Sequence, residues 1–314
     1  MSTDRRSEPN VRGISMTWRF ESPAARIAEY RCLCSTRGLT AEREQFWDVI
    51  GFPQSGQYVL SVRGRSVLID PTCVAFFSEG VTYRTNHPSG MGDRGVSLII
   101  RPDILREMME SIEARGAGDA KQRFPFSHAH VTARVSIRMA LLFQAITSRI
   151  SVDTLAVEEL SLYLAGAALA AGYQQARPGE PPSSAAIRQA RERAEAVRIL
   201  LARNPSRRWR LDDLAKAVEV SPFRLCRLFR AETGMPIKSY IRRLRLAEAV
   251  ARLRDGQRDL SAIALDLGFS SHSHFTADFR REYGLTPSET RRLGEIMSDK
   301  RRDTTLSRKP DARF

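Results

Sequence analysis

The chain has 314 residues, with five histidines and four cysteines, and the spacing of these residues frames the chemistry open to it. His272 and His274 stand two apart in "LGFSSHSHFTADFRREYG", His128 and His130 in "FPFSHAHVTA", and Cys32 and Cys34 in "EYRCLCSTRG". Imidazole and thiolate at such spacing could clip a metal, shuttle protons or form a redox pair. On a helix, residues two apart lie about 200° around the axis from each other, so His272 and His274 cannot easily share a metal. They read as one exposed histidine and one packed beside Phe275. On a strand, alternate residues share a face, so Cys32 and Cys34 fit either a thiol pair that senses redox or a soft metal, or, more commonly, two buried cysteines packed side by side. His128 and His130 read as part of a loop or cap. No Gly-rich phosphate loop, GxSxG elbow or paired-carboxylate motif is present, so no catalytic constellation is expected.

The elements that must position these residues divide the chain. Residues 1–12 and 294–314 are polar and expected to be disordered. Between 46 and 100 the pattern predicts strands. "QYVLSVRGRSVLID" reads as a hairpin turning at Arg63-Gly64-Arg65, and "CVAFFSEGVTYRT" as a second pair of strands broken at Glu79-Gly80. "GVSLII" adds a further strand. Short strands punctuated by turns predict a small β-barrel or jelly roll. Helical spacing follows over 102–115, 132–150 and 154–175. The last of these is apolar enough to pack on a neighbouring helix or a second subunit. "RPGEPPSSAA", residues 177–186, reads as a linker.

Residues 187–293 hold an imperfect internal repeat. Leu214 and Ala215 match Ile263 and Ala264; Leu225 and Phe229 match Phe275 and Phe279; Arg230, Glu232 and Gly234 match Arg280, Glu282 and Gly284. Each copy fits a helix-turn-helix, over 211–232 and 260–283. Ser221-Pro222 and Ser270-Ser271 start the second helices, a serine cap with proline at the first helical position being a helix start with a mechanism. Gly268 supplies the positive φ such a turn needs, and Glu219 occupies its place in the first copy, at a cost of roughly 1 kcal/mol. "PIKSYIRRLRLAEAVARLRDG" between the copies predicts one helix of about 18 residues, or ~27 Å. A spacer of that length could hold two recognition helices about one DNA turn, ~34 Å, apart.

Charge supports the same division. From Ile187 onward there are 29 Lys and Arg against 17 Asp and Glu; the first 186 residues hold 21 against 19. Nearly all of the net charge of +14 therefore lies in the C-terminal part, as expected if that part binds a polyanion and the other does something different. No uninterrupted apolar run approaches the roughly 18 residues that span a bilayer, and the N-terminus has no secretory h-region, so no membrane is expected and the cytoplasm is the expected location.

The segment "DDLAKAVEVSPFRLCRLFRAETGMPIKSYIRRLRLAEAVARL", continued by "SAIALDLGFSSHSHFTADFRREYGLTPSETRR", resembles the DNA-binding domain of AraC/XylS-family transcription regulators. The segment "FPQSGQYVLSVRGRSVLIDPTCVAFFSEGVTYRTNHPSGMGD" is similar to the cupin-like sensor domains of that family. The resemblance implies a multidomain α+β chain. Residues 13–176 would be a sensor and dimerisation domain, with strands over 46–100 and helices over 102–175. Residues 187–293 would be an all-α reader with two helix-turn-helix units joined by a long helix.

The resemblance also implies a non-enzymatic, sequence-specific regulator that works as a homodimer on double-stranded DNA, recruits RNA polymerase and responds to a small-molecule effector. A regulator whose barrel only dimerises and a sensor-enzyme with cupin-like chemistry are the alternatives. The implied DNA-facing residues of the first unit are Ser221, Phe223, Arg224, Cys226, Arg227 and Arg230, with Arg224 and Arg227 at base edges. Those of the second are His272, Ser273, Thr276, Arg280 and Arg281. Lys238 and Arg242 are expected at phosphates. Ala277 stands where relatives often carry Arg, which shifts the second unit toward phosphate contacts. His87, Tyr83 and Phe77 are the expected effector contacts, with His87 a turn residue at the barrel mouth. No metal or cofactor is expected, because a cupin metal site needs three histidines and the strand region offers only His87.

Overall fold

The computed structural model describes residues 14–33, 40–62, 64–88, 90, 92–113, 124–148, 152–176, 185–257 and 259–293. The expected disorder at 1–12 and 294–314, along with Cys34 and Arg63, lies outside the described residues.

The first half is built from two antiparallel sheets. One orders its strands β1 (Ile14–Glu21), β2 (Ala25–Cys32), β9 (Asp93–Ile100), β4 (Val49–Ser55), β7 (Cys73–Phe77) and β10 (His128–His130). The other orders β3 (Arg43–Glu44), β8 (Thr82–Asn86), β5 (Tyr58–Val62) and β6 (Arg65–Ile69). Tyr58, Leu60 and Ile69 of the smaller sheet pack against Cys73 and Ala75 of the larger, closing the expected small barrel. The β5–β6 hairpin turns as predicted, with Gly64 at φ 73°.

Strand content extends beyond the expected window at both ends, because β1 and β2 precede residue 46 and β10 follows residue 100. The "CVAFFSEGVTYRT" strands are not partners. β7 pairs with β4 and β10, whereas β8 pairs with β5 and β3, so the Glu79-Gly80 turn carries the chain from one sheet to the other. His128 and His130 lie on a strand rather than in a loop or cap, in register with Ala75 and Cys73.

Helices α1 (Pro102–Glu113), α2 (Ala133–Thr147) and α3 (Thr154–Gln175) cover the larger sheet. Although Glu158 and Glu159 interrupt its apolar run, α3 as a whole is long and apolar enough to cross a bilayer by length and composition. Here its Val157, Leu164, Ala168 and Leu169 are buried against the sheet and the other two helices, the neighbouring-helix packing its sequence predicts. Gly172 is where α3 meets Phe126, whose ring occupies the space a β-carbon would need, 2.2 Å away.

The second half is all helix. α4 (Ala185–Arg203) starts two residues inside the predicted linker. It is followed by α5 (Leu211–Ala217), α6 (Pro222–Thr233), α7 (Ile237–Arg254), α8 (Leu260–Asp266), α9 (His272–Tyr283) and a final α10 (287–293). α7 is the predicted 18-residue spacer. Its N-terminal Tyr240 and Leu244 pack with α4, α5 and α6, and its C-terminal Leu246, Ala249 and Leu253 pack with α8 and α9. One helix thus belongs to two cores. Each core is anchored on buried phenylalanines, Phe229 in one and Phe275 and Phe279 in the other, whose burial contributes roughly 1.5–3 kcal/mol apiece.

The β10 histidines give a pH signature. Burial, each other's proximity and Arg198 lower His128 to about 3, while burial and Arg198 lower His130 to about 4, against an ordinary 6.5; Asp70 opposes both shifts. The folded chain therefore keeps both rings neutral where the unfolded chain protonates them. Stability is unaffected above about pH 6.5 and falls as pH drops from there toward 4. Urea titrations between pH 7.5 and 4.5 should show this slope, and a His128→Gln/His130→Gln double variant should flatten it.

Candidate nucleic-acid interface

The first unit presents a basic face because its apolar residues recur at helical spacing on the opposite side. Ser221 caps α6 by accepting from the Arg224 backbone N–H, Pro222 opens the helix, and Gly234 closes it at φ 72°. Leu225, Phe229 and Thr233 face inward. Ser221, Phe223, Arg224, Cys226, Arg227 and Arg230 are all exposed. Phe223 is 73% exposed, and the Arg227 guanidinium lies 5.9 Å from its ring centroid. An uncovered aromatic ring stacked against an arginine on a basic helix face is an unusual thing to show to water.

The second unit repeats the geometry with different chemistry. Ser271 caps α9 by accepting from the His274 N–H at 3.1 Å, and Phe275, Asp278, Phe279 and Tyr283 face inward. His272, Ser273, Thr276, Ala277, Arg280 and Arg281 line one shallow surface hollow. Thr276 is only half exposed, and Arg281 is held by the buried Asp278 carboxylate. His274 is turned away from this face. Its Nδ1 lies 2.8 Å from Ser270 Oγ and its ring packs edge-on against Phe269 at 5.8 Å, so the two neighbouring histidines do separate things.

Of the expected phosphate contacts, Lys238 is exposed in the first turn of α7. Arg242 is half-buried and lies 3.8 Å from Glu282, which also accepts from Arg243 at 2.6 Å. The repeat-equivalent Glu232 lies 3.5 Å from Arg191 of α4. Each unit is therefore tied to the helix that precedes it by the same glutamate. Arg245 joins the two units. Its Nε donates to Pro205 O and its Nη1 to Gly268 O, both at 2.7 Å. Glu219 takes φ 54°, next to 78° at its counterpart Gly268, so the first turn keeps the left-handed geometry without glycine.

Sequence reasoning missed the contact that fixes the reader on the barrel. Asp70, at the end of β6, is fully buried. Its Oδ2 accepts from Arg198 Nη2 (2.9 Å) and from the Tyr240 hydroxyl (2.5 Å), and its Oδ1 accepts from Thr72 N and Oγ1. Burial alone would raise its pKa; Arg198 and the hydrogen bonds from Thr72 and Tyr240 outweigh burial and hold the carboxyl below its ordinary value. Arg198 and Glu195 of α4 also grip the Leu68 C=O and N–H, capping the edge strand of the smaller sheet. On the other side, Arg94 pairs with Asp255, Arg254 donates to Gln54, and Ile137 of α2 enters the core of the second unit. The partners in the Asp70 cluster lie 128 and 170 residues away, a separation that no local pattern signals.

Within the barrel, Phe77 and Tyr83 line a cavity of about 400 Å³ together with Phe76, Phe126, Arg65 and Gln45. His87 does not line it. It is 1% exposed, with its Nε2 2.6 Å from Asp93 Oδ1, so it is a core residue rather than a turn residue at the mouth.

A helix-turn-helix domain family matches residues 214–293. Regulatory protein SoxS of Salmonella typhimurium is 41% identical over 81 residues, 26% of this chain and 76% of that protein. A putative AraC-like transcription regulator of Streptomyces lividans is 35% identical over 92 residues, 29% of this chain and 30% of that one. The chain spans about a third of the length of the first curated relatives it matches. The solved ToxT structure from Vibrio cholerae is similar with a TM-score of 0.35 and 14% identity, covering 86% of this chain and 98% of that one.

Three outcomes follow from this geometry. Glu219→Gly should raise stability by up to about 1 kcal/mol in denaturant titration, since it relieves a left-handed side chain. Gly268→Glu should destabilise, since a β-carbon there would lie 2.7 Å from the Ser206 carbonyl. Asp70→Asn leaves the buried Arg198 with the more exposed Glu195 as its remaining countercharge, 2.9 Å away, at a cost of about 1–3 kcal/mol. A loss below about 1 kcal/mol would mean that the two halves part and let water reach the arginine.

Proposed function

The chain belongs to the AraC/XylS family of transcription regulators, and from that premise we propose that it is a cytoplasmic, homodimeric regulator that reads two adjacent major-groove segments of double-stranded DNA. The observation that carries this reading is the pair of capped helices, α6 and α9, each with an inward aromatic row and an outward basic face, held at the two ends of the rigid α7. Arg224 and Arg227 are assigned to base edges, because a guanidinium grips guanine O6 and N7 with two parallel hydrogen bonds. Arg230, His272, Ser273, Thr276, Arg280 and Arg281 complete the two faces. Ser221, Phe223 and Cys226 pack against the duplex, and Lys238 and Arg242 meet phosphate. The half-buried Thr276 and the engaged Arg281 support a second unit that leans more on phosphate than on bases.

The effector belongs to the aromatic cavity. Phe77, Tyr83, Phe76 and Phe126 offer an apolar wall, and Arg65 offers a cation at its edge, which suits a small aromatic acid. Occupancy there is one β-strand away from Asp70, so it bears on how the reader is held. Recruitment of RNA polymerase completes the reading.

A gel-shift salt titration tests the DNA part. Log affinity should fall linearly with log salt, and an affinity indifferent to salt would refute the basic-face assignment. Arg227→Ala should cost about 1–3 kcal/mol on the specific site and relax the choice at one base pair, whereas Lys238→Ala should weaken specific and random DNA alike. Equal losses on both DNAs for Arg227→Ala would remove its assigned role.

A further inference from the structure

Three polar side chains meet inside the barrel, and none of them lines the aromatic cavity or belongs to the reader. Cys32 closes β2 and stands directly opposite Asp93, which opens β9 in the antiparallel register. His87 follows β8, and the turn after it returns the chain so that His87 faces Asp93. All three are buried, at 4%, 1% and 7% exposure. One donor atom from each, the Cys32 sulfur, a His87 ring nitrogen and an Asp93 carboxylate oxygen, lie within 4.8 Å of one another.

The surrounding backbone is cut away to permit this approach. A β-carbon on Gly92 would fall 1.8 Å from the Cys32 carbonyl oxygen, one on Gly56 2.8 Å from Asp93 Cα, and one on Gly95 2.5 Å from the Tyr30 hydroxyl. The polar atoms around the cluster are also short of partners. Among the described residues, His87 Nδ1 and both side-chain polar atoms of Gln57 are buried without a hydrogen bond, although buried polar atoms are nearly always paired. Tyr30 and Tyr58 lie beside the Asp93 carboxylate, and burial pushes both phenols well up, so they remain neutral.

We propose that Cys32, His87 and Asp93 form a binding site for one zinc-class divalent cation. Thiolate, imidazole and carboxylate are the donor types such an ion takes, and three protein donors leave a fourth position for Tyr30, Gln57 or water. The charges also balance: one thiolate and one carboxylate offset a divalent ion, whereas either anion alone would be costly at this depth. Binding releases the Cys32 thiol proton to solvent. The set differs from the three-histidine arrangement that the sequence rules out, because its members come from the ends of three strands and none lies within five residues of another. The site lies one residue from Arg94, which holds Asp255 of the reader.

The test uses the full chain carrying Cys34→Ser and Cys226→Ser, so that Cys32 and Cys73 are the thiols that remain. Cys73 stays protonated, because burial and the nearby Asp70 push it up to about 12. After chelation and dialysis, titration with Co²⁺ should give one equivalent with a thiolate-to-metal charge-transfer band, and Zn²⁺ should displace it stoichiometrically. Adding Cys32→Ser should abolish the band. Adding the isosteric Asp93→Asn should weaken binding more than ~100-fold. Failure of the background chain to take up either metal would overturn the proposal without reliance on the site variants. Uptake that persists unchanged in Cys32→Ser or Asp93→Asn would overturn it equally. The readout involves no DNA and is therefore independent of the regulatory reading.

Discussion

The buried Asp70 carboxylate is the contact on which the arrangement of the two halves depends. It lies at the end of an edge strand, and its two oxygens accept from four donors, two of them from distant parts of the chain. Two donors come from the turn that follows β6, one from α4 and one from α7. A charge at this depth is tolerated only with its partners present, so the barrel and the first reader unit are either docked or paying heavily for separation. The capping of Leu68 by Glu195 and Arg198 adds to this, since an uncovered strand edge is itself a liability.

The second unit is held differently. Its docking rests on Ile137 in its core and on the Arg94–Asp255 and Arg254–Gln54 contacts, which lie closer to solvent. Because α7 runs through both cores, and because Arg245 ties the loop after α4 to the turn at Gly268, the two units move as one body unless α7 bends. A change in the barrel therefore bears on both exposed helix faces together, through residues that lie on neither of them. These arginines fall into two sets: Arg224, Arg227, Arg230 and Arg280 are exposed, while Arg198, Arg243 and Arg245 are engaged with other elements.

The reader was legible residue by residue. Its caps, its seven matched repeat positions and the length of α7 are local features, written at helical spacing, and the structure forms those helices within a residue or two of the expected limits. Even the strained Glu219 could be read, because its repeat partner is a glycine. The barrel was legible only in its middle. β1 and β2 are joined by Ser22-Pro23-Ala24 without the glycine that marked the β5–β6 hairpin, and β10 is three residues long, too short for any alternation to register. A strand–turn–strand pattern looks the same whether the two strands face each other, as β5 and β6 do, or belong to different sheets, as β7 and β8 do.

The sequence by itself determined the reader: periodicity, capping and a repeated pattern are short-range, and helices form from short-range information. Tertiary structure alone decided what the scattered polar residues do. Asp70, Arg198 and Tyr240 carry no motif, and Cys32, His87 and Asp93 come together only because two strands pair in register and three glycines let the backbone close around them. His87 shows the difference most directly. In sequence it precedes a proline and reads as a turn, but the strand pairing that buries it is set by residues elsewhere in the chain, and a core position is a property of the fold rather than of the neighbours in sequence.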